Sequence, residues 1–143
     1  MRTRFLLVFL LIFSLQSLYI HSLTPPKREF RGTWIHTVGQ DRYMNLDEVA
    51  MKRYFATLLD SLQLAGINTV IFQVRPEADA WFNSPFEPWS RYITGVQGKN
   101  PGWDPTAYLI DACHRRNMDF HAWINPYRAR TSPTKTLSPD HLY

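Results

Sequence analysis

The sequence predicts an α/β fold: the N-terminal portion of a (β/α)8 TIM-type barrel, with about three strands and two to three helices. Three observations predict it. From residue 31 onward, strand-like runs alternate with helical ones. The second and third strands each pair a more apolar face with a more polar one. A barrel of eight units takes ~250 residues, and residues 23–143 hold fewer than three complete units. A doubly wound sheet buries both faces under helices, so both should be apolar. A barrel turns one face inward, and that face can become polar near the catalytic end.

Residues 31–38 (RGTWIHTV) are rich in β-branched and aromatic side chains and read as the first strand. Asn45 with Glu48 has capping-box spacing. Met51, Phe55, Leu58, Leu59 and Leu62 then recur at helical intervals, and Gly66 stands where a helix-ending glycine belongs. The first helix is therefore expected over 46–65. Residues 68–74 (NTVIFQV) form the second strand, with Val70, Phe72 and Val74 on one face and Thr69, Ile71, Gln73 and Arg75 on the other. Asp104-Pro105 is a second helix start, an acidic cap followed by proline. Tyr108, Leu109, Ala112 and Cys113 make its apolar face, and Asn117 can end it in a left-handed conformation. Residues 119–124 (DFHAWI) form the third strand, with His121, Trp123 and Asn125 on the polar face. Parallel strands joined through helices take right-handed crossovers.

Residues 1–22 carry a basic head at Arg2 and Arg4, a short apolar run, and Ser22 as a small residue at the exit. This reads as a secretory signal. The apolar run is shorter than the ~20 residues a spanning helix needs, so no stable membrane span is expected after cleavage. Residues 23–27 are a linker by composition, and 28–143 the barrel domain. Loss of 1–22 leaves 14 basic against 12 acidic residues, a charge of +2 instead of +4. The basic residues are scattered among acids, so no nucleic-acid partner is expected. Cys113 is the only cysteine, so an exported chain has no internal disulfide and must rest on its core. A small apolar role on the helix suits Cys113 better than a reactive thiol.

In parallel α/β folds, ligands sit beyond the C-terminal ends of the strands. No Gly-x-Gly-x-x-Gly occurs there, and no cofactor is expected. The loop after the second strand offers Arg75, Glu77 and Asp79. Glycoside hydrolysis needs two carboxyl groups flanking the scissile bond. Glu77 and Asp79 are weak candidates for that pair, since they lie two residues apart in one loop. Two other readings stand beside this one: an ion pair of Arg75 with either acid, and binding of sugar hydroxyls. After the third strand, Asn125, Tyr127 and Arg128 suit sugar hydroxyls or a carboxylate such as a lactyl or uronic group, with loop capping as the alternative. The candidate substrate-binding set is Gln73, Arg75, Asp79, Trp123, Asn125, Tyr127 and Arg128.

The long connection from 76 to 103 carries Trp81, Phe82, Phe86, Trp89, Tyr92 and Trp103. These could form a rim for stacking on sugar rings, but packing of the loop is expected to claim at least half of them. His36 and His121 could begin a metal site. No third ligand is evident, so they are read as hydrogen-bonded core histidines and no metal is assigned.

The motifs Lys27-Arg-Glu-Phe-Arg-Gly-Thr-Trp34, Val70-Ile-Phe-Gln-Val-Arg-Pro-Glu-Ala-Asp-Ala80, Glu87-Pro-Trp-Ser90, Ile93-Thr-Gly-Val-Gln-Gly98, Pro101-Gly-Trp-Asp-Pro105 and His121-Ala-Trp-Ile-Asn-Pro-Tyr-Arg-Ala-Arg130 occur in this order. Together they resemble the glycosyl-hydrolase-like 10 domain, formerly a domain of unknown function, found in bacterial exported proteins and lipoproteins. The likeness covers essentially all of 26–143. Asn117 stands where a glycine is usual, and His36 where a small residue is usual. The resemblance implies a TIM-type barrel, a glycosidase-like activity and peptidoglycan-type glycans as substrate. Members of the family run well beyond this length. The main acid/base and nucleophile are therefore expected on later strands, and the segment alone is expected to be inactive and unstable. The competing expectation is a non-catalytic glycan-binding module on the same scaffold.

Overall fold

The computed structural model describes residues 29–142. The expected signal over 1–22 and linker over 23–27 lie outside the described residues. Three strands, β1 (Gly32–Ile35), β2 (Thr69–Arg75) and β3 (Asp119–Ile124), form one parallel sheet in the order β1-β2-β3. Helix α1 (Glu48–Leu64) connects β1 to β2. A four-residue helix α2 (Arg91–Thr94) and then α3 (Pro105–His114) connect β2 to β3. This is the α/β arrangement of parallel units that the alternation predicts. Among the described residues, no helix is long and apolar enough to cross a membrane.

Helix α1 begins two residues later than the capping-box reading places it. Residues Asp41–Asn45 form a 3-10 turn, so Asn45 is used up there. Asp47 is the cap instead, accepting from the Ala50 amide at 2.7 Å. The helix buries Met51, Phe55 and Leu59, one side chain per turn. It ends in the six-to-one closure expected around a left-handed residue. Gly66 (φ +80°) donates to Gln63, and Ile67 donates to Leu62 at 3.0 Å. Helix α3 starts as predicted, with Asp104 accepting from the Ala107 amide and Pro105 in the first turn. Asn117 (φ 54°) ends it, followed by Met118 donating to the Cys113 carbonyl at 3.0 Å.

The first strand is shorter than its β-rich composition suggests. After Ile35, the amides of Thr37 and Val38 turn from sheet pairing to the side-chain oxygen of Gln73, at 2.8 and 3.1 Å. The second strand begins one residue late because Asn68 acts as a clasp. It accepts from the Arg31 amide at 2.9 Å and donates to the Glu29 carbonyl at 2.6 Å.

The core lies between the sheet and the helices. Val70, Phe72 and Val74 face it, as the alternation predicts. Phe55, Phe72, Trp81 and Tyr43 form a ring of edge and tilted contacts with centroids 5.4–5.7 Å apart. On the opposite face the register sets Trp34, Ile71 and His121 side by side. That face carries aromatic contacts of its own. Trp34 meets Trp123 edge-on at 5.0 Å, and Phe30 meets His121 at 6.0 Å. Phe30 and Trp34 nevertheless remain 63% exposed. A register shift between Gln73 and Arg75 places Val74 as an extra residue on β2, so strict alternation stops just before the strand ends.

Cys113 is a free cysteine buried in the α3 contact with the core. Burial pushes its thiol up to about 11. In the folded protein it should therefore react with a neutral-pH alkylating reagent at least ~100-fold more slowly than in denaturant. Mass spectrometry of a time course checks this, and equal rates would contradict the buried assignment.

Candidate functional site

The strand ends are tied together by side chains. Gln73 is wholly buried, and its side-chain oxygen gathers the Thr37 and Val38 amides, joining the turn after β1 to β2. Its side-chain nitrogen is buried with no hydrogen-bond partner among the described residues. Arg75 does not pair with Glu77 or Asp79. It pairs with Glu87, its Nε donating to Oε1 at 2.6 Å with a second guanidinium nitrogen on the same oxygen. Its remaining arm donates to the carbonyls of Asn125 and Pro126. The guanidinium thus bridges the loop after β2 to the end of β3, with every arm engaged inside the protein.

Glu77 and Asp79 are both 0% exposed. Asp79 accepts from the Glu77 amide at 3.1 Å and from the Gln97 amide nitrogen at 2.9 Å. Burial raises its pKa above the ordinary carboxylate value, and the hydrogen bonds from Gln97 and the Glu77 backbone pull against that. Glu77 lies between two cations, Lys135 at 3.4 Å and Arg91 at 3.8 Å, and accepts from the Thr131 amide. Both carboxylates are therefore surrounded by protein donors and turned away from solvent.

The polar residues of β3 lie closer to the surface. Trp123 is half-buried and donates from its indole nitrogen to the Asn125 side-chain oxygen at 3.1 Å. Asn125 in turn donates to the Pro76 carbonyl at 3.4 Å. Tyr127 is 98% exposed and Arg128 is exposed. The site therefore divides in two. Gln73, Arg75, Glu77 and Asp79 form a buried frame, while Trp123, Asn125, Tyr127 and Arg128 lie on or near its surface. An indole wall beside a fixed amide, with an exposed phenol and guanidinium, can stack on a sugar ring and bond its hydroxyls.

The aromatic residues of the long connection serve mainly as packing. Trp81 and Tyr92 are buried, and Phe82, Trp89 and Trp103 pack partly against the core. Phe86 alone among the six is largely exposed, at 76%. His36 and His121 are corrected as core residues, because both are exposed. His36 lies just past β1, against Val38 and Gln40, and His121 lies on the face opposite the helices, against Phe30. Among the described residues, no group of three His, Cys, Asp or Glu could hold a metal ion.

Sequence reasoning missed Glu87, Gln97, Lys135 and His141, the partners that complete the frame. Glu87 and Gln97 stood inside recognised motifs, Glu87-Pro-Trp-Ser90 and Ile93-Thr-Gly-Val-Gln-Gly98. Their signal was a polar residue embedded in an aromatic or glycine-rich stretch. Lys135 and His141 carried no such signal.

Residues 29–141 match the model of the family described as glycosyl hydrolase-like 10. The chain is 45% identical over 119 residues to the glycosyl hydrolase YngK of Bacillus subtilis (strain 168), covering 80% of this chain and 23% of that protein. It is 40% identical over 108 residues to the glycosyl hydrolase DigH of Escherichia coli (strain K12), covering 68% of this chain and 25% of that one. It thus spans about a quarter of the length of the curated relatives it matches. The resemblance first seen in scattered motifs therefore holds across the described sheet, its helices and the frame at the strand ends, and the chain belongs to the glycosyl hydrolase-like 10 family.

Proposed function

We propose that the protein is an exported glycoside hydrolase acting on cell-wall glycans of the peptidoglycan type. In this reading the segment is the first part of a (β/α)8 barrel and forms one wall of the substrate cleft. The observation that carries the reading is the joined end of β2 and β3. There Arg75 holds the Asn125 and Pro126 carbonyls, and Trp123, Asn125, Tyr127 and Arg128 occupy the side of that junction nearer solvent. Membership of a glycosyl hydrolase-like family supports the chemistry. Both carboxyl groups of the reaction must reach the scissile bond, and Glu77 and Asp79 are buried and already bonded. The cutting pair is accordingly assigned to strands other than the three described, and the segment by itself to an inactive state.

The same burial favours a second reading, a barrel that binds glycan without cutting it. One experiment separates the two. The product of the full reading frame is incubated with purified peptidoglycan glycan strands, and new reducing ends and bound glycan are both measured. New reducing ends, lost when paired acidic residues on later strands are changed to amides, support the hydrolase. Binding without new ends, beside a working control glycosidase, supports the binding module. Neither binding nor cleavage would defeat both.

A further inference from the structure

Residues 126–142 contain no helix or strand, yet the segment is tied down along its length. Arg75 holds the carbonyls of Asn125 and Pro126 at its start. Glu77 then takes the Thr131 amide and the Lys135 ammonium. Arg91 donates to the Thr136 carbonyl at 2.9 Å, and the Ser138 amide donates to Gln97 at 3.0 Å. His141, buried, closes on the Glu77 carbonyl at 2.8 Å. Gly98 makes room for the docking, because a Cβ there would stand 2.6 Å from the Ser138 hydroxyl oxygen.

Glu77 is the centre of this set. Its side chain meets Thr131, Lys135 and Arg91, and its backbone meets Asp79 and His141. Lys135 also donates to the Tyr92 hydroxyl at 2.6 Å and lies 5.0 Å from that ring's centre. A buried carboxylate is costly unless it is paired and bonded, and here every pairing leads to the segment after β3 or to the α2 region beside it. Between the two ties, at 126 and 131, Tyr127 and Arg128 stand exposed.

We propose that Glu77 is a positioning residue: paired with Lys135 and bonded to the Thr131 amide, it holds the arc Tyr127–Arg130 in place beside the strand ends. The assignment of that arc to a glycan cleft rests on the function proposed above. The clamp itself does not. An exposed loop fixed at both ends contacts a ligand without first losing the freedom of a loose one, so the clamp acts on binding and not on bond cleavage.

The test uses the full-length protein with Glu77→Gln, Lys135→Met and the double variant, read by hydrogen–deuterium exchange and by kinetics on glycan strands. Glu77→Gln keeps an acceptor for Thr131 but removes the charge facing Lys135 and Arg91. The expected result is at least ~10-fold faster exchange of amides 127–141, with α1 and β2 unchanged. On an active protein, KM should rise about tenfold or more, with the effect on KM exceeding that on kcat. Lys135→Met should reproduce the pattern, and the double variant should add little, since both changes break one interaction. Unchanged exchange across 127–141 in either single variant would overturn the clamp. So would a kcat loss of about a thousandfold with KM unmoved, which would mark Glu77 as an acid or base. If Glu77→Gln fails to fold, Lys135→Met alone carries the test. If the parent protein cleaves no glycan, the proposed function fails, while the exchange data still decide the clamp.

Discussion

Phe72→Ala should cost the folded protein about 4 kcal/mol, the largest loss expected from a single apolar change in this sheet. Phe72 is 0% exposed at the centre of β2. It meets Phe55 on α1 at 5.7 Å, Trp81 from the long connection at 5.4 Å, and Phe120 on β3 at 6.3 Å. One ring thus joins a helix, a loop and a neighbouring strand. Truncation to alanine removes the transfer energy of the ring and leaves a cavity between rigid elements that cannot close on it. The lost edge contacts to Phe55 and Trp81, ~0.5–1.5 kcal/mol each, are part of that loss. Phe72→Leu retains most of the volume and should cost about 1–1.5 kcal/mol. Urea unfolding of the full-length protein checks both, through a lower midpoint with an unchanged slope. A loss below about 1 kcal/mol for the alanine variant would show that this ring is not the keystone between α1, β3 and the loop.

Arg75→Met should cost about 3–5 kcal/mol, for an electrostatic reason. The Arg75 and Glu87 side chains are only 16% and 10% exposed. Removing the guanidinium strands the Glu87 carboxylate among buried atoms and also frees the Asn125 and Pro126 carbonyls. Adding Glu87→Leu removes the stranded charge, so the double variant should recover at least half of the loss. The pair should show a coupling energy above ~1 kcal/mol. Arg75→Lys keeps the charge but not the planar fork, cannot serve Glu87 and both carbonyls together, and should fall between. The same unfolding series reads the parent and four variants, Glu87→Leu alone included. Additive losses from the two single changes would mean that the ion pair is not the reason for Arg75's burial.

The local features were legible because their determinants are local. Asp104 and Pro105 start α3, and Gly66 and Asn117 end helices, because the residues themselves favour those conformations. The helix-facing side of β2 followed from alternation alone. Of the two departures, one has a local cause and the other a distant one. Asn45 and Asp47 are both good caps separated by two residues, and the choice fell to Asp47 because the 3-10 turn consumes Asn45. The first strand stops early because Gln73 competes for the Thr37 and Val38 amides across 36 and 35 residues of chain.

The sequence by itself determined the parallel βαβ order, the start of α3, where α1 and α3 stop, the buried face of β2 and the family to which the chain belongs. It also supplied the polar residues near the strand ends. Only the tertiary structure decided which of those residues lie inside and which lie outside. Glu77 and Asp79 look like a pair available for chemistry until Lys135, 58 residues away, and Gln97, 18 residues away, close over them. Arg75 looks like a ligand-binding arginine until Glu87 and the Asn125 carbonyl occupy it. A side chain's type sets what it can bond. Its partner is set by which distant segment the fold brings within about 3 Å, and neither periodicity nor spacing along the chain encodes that distance.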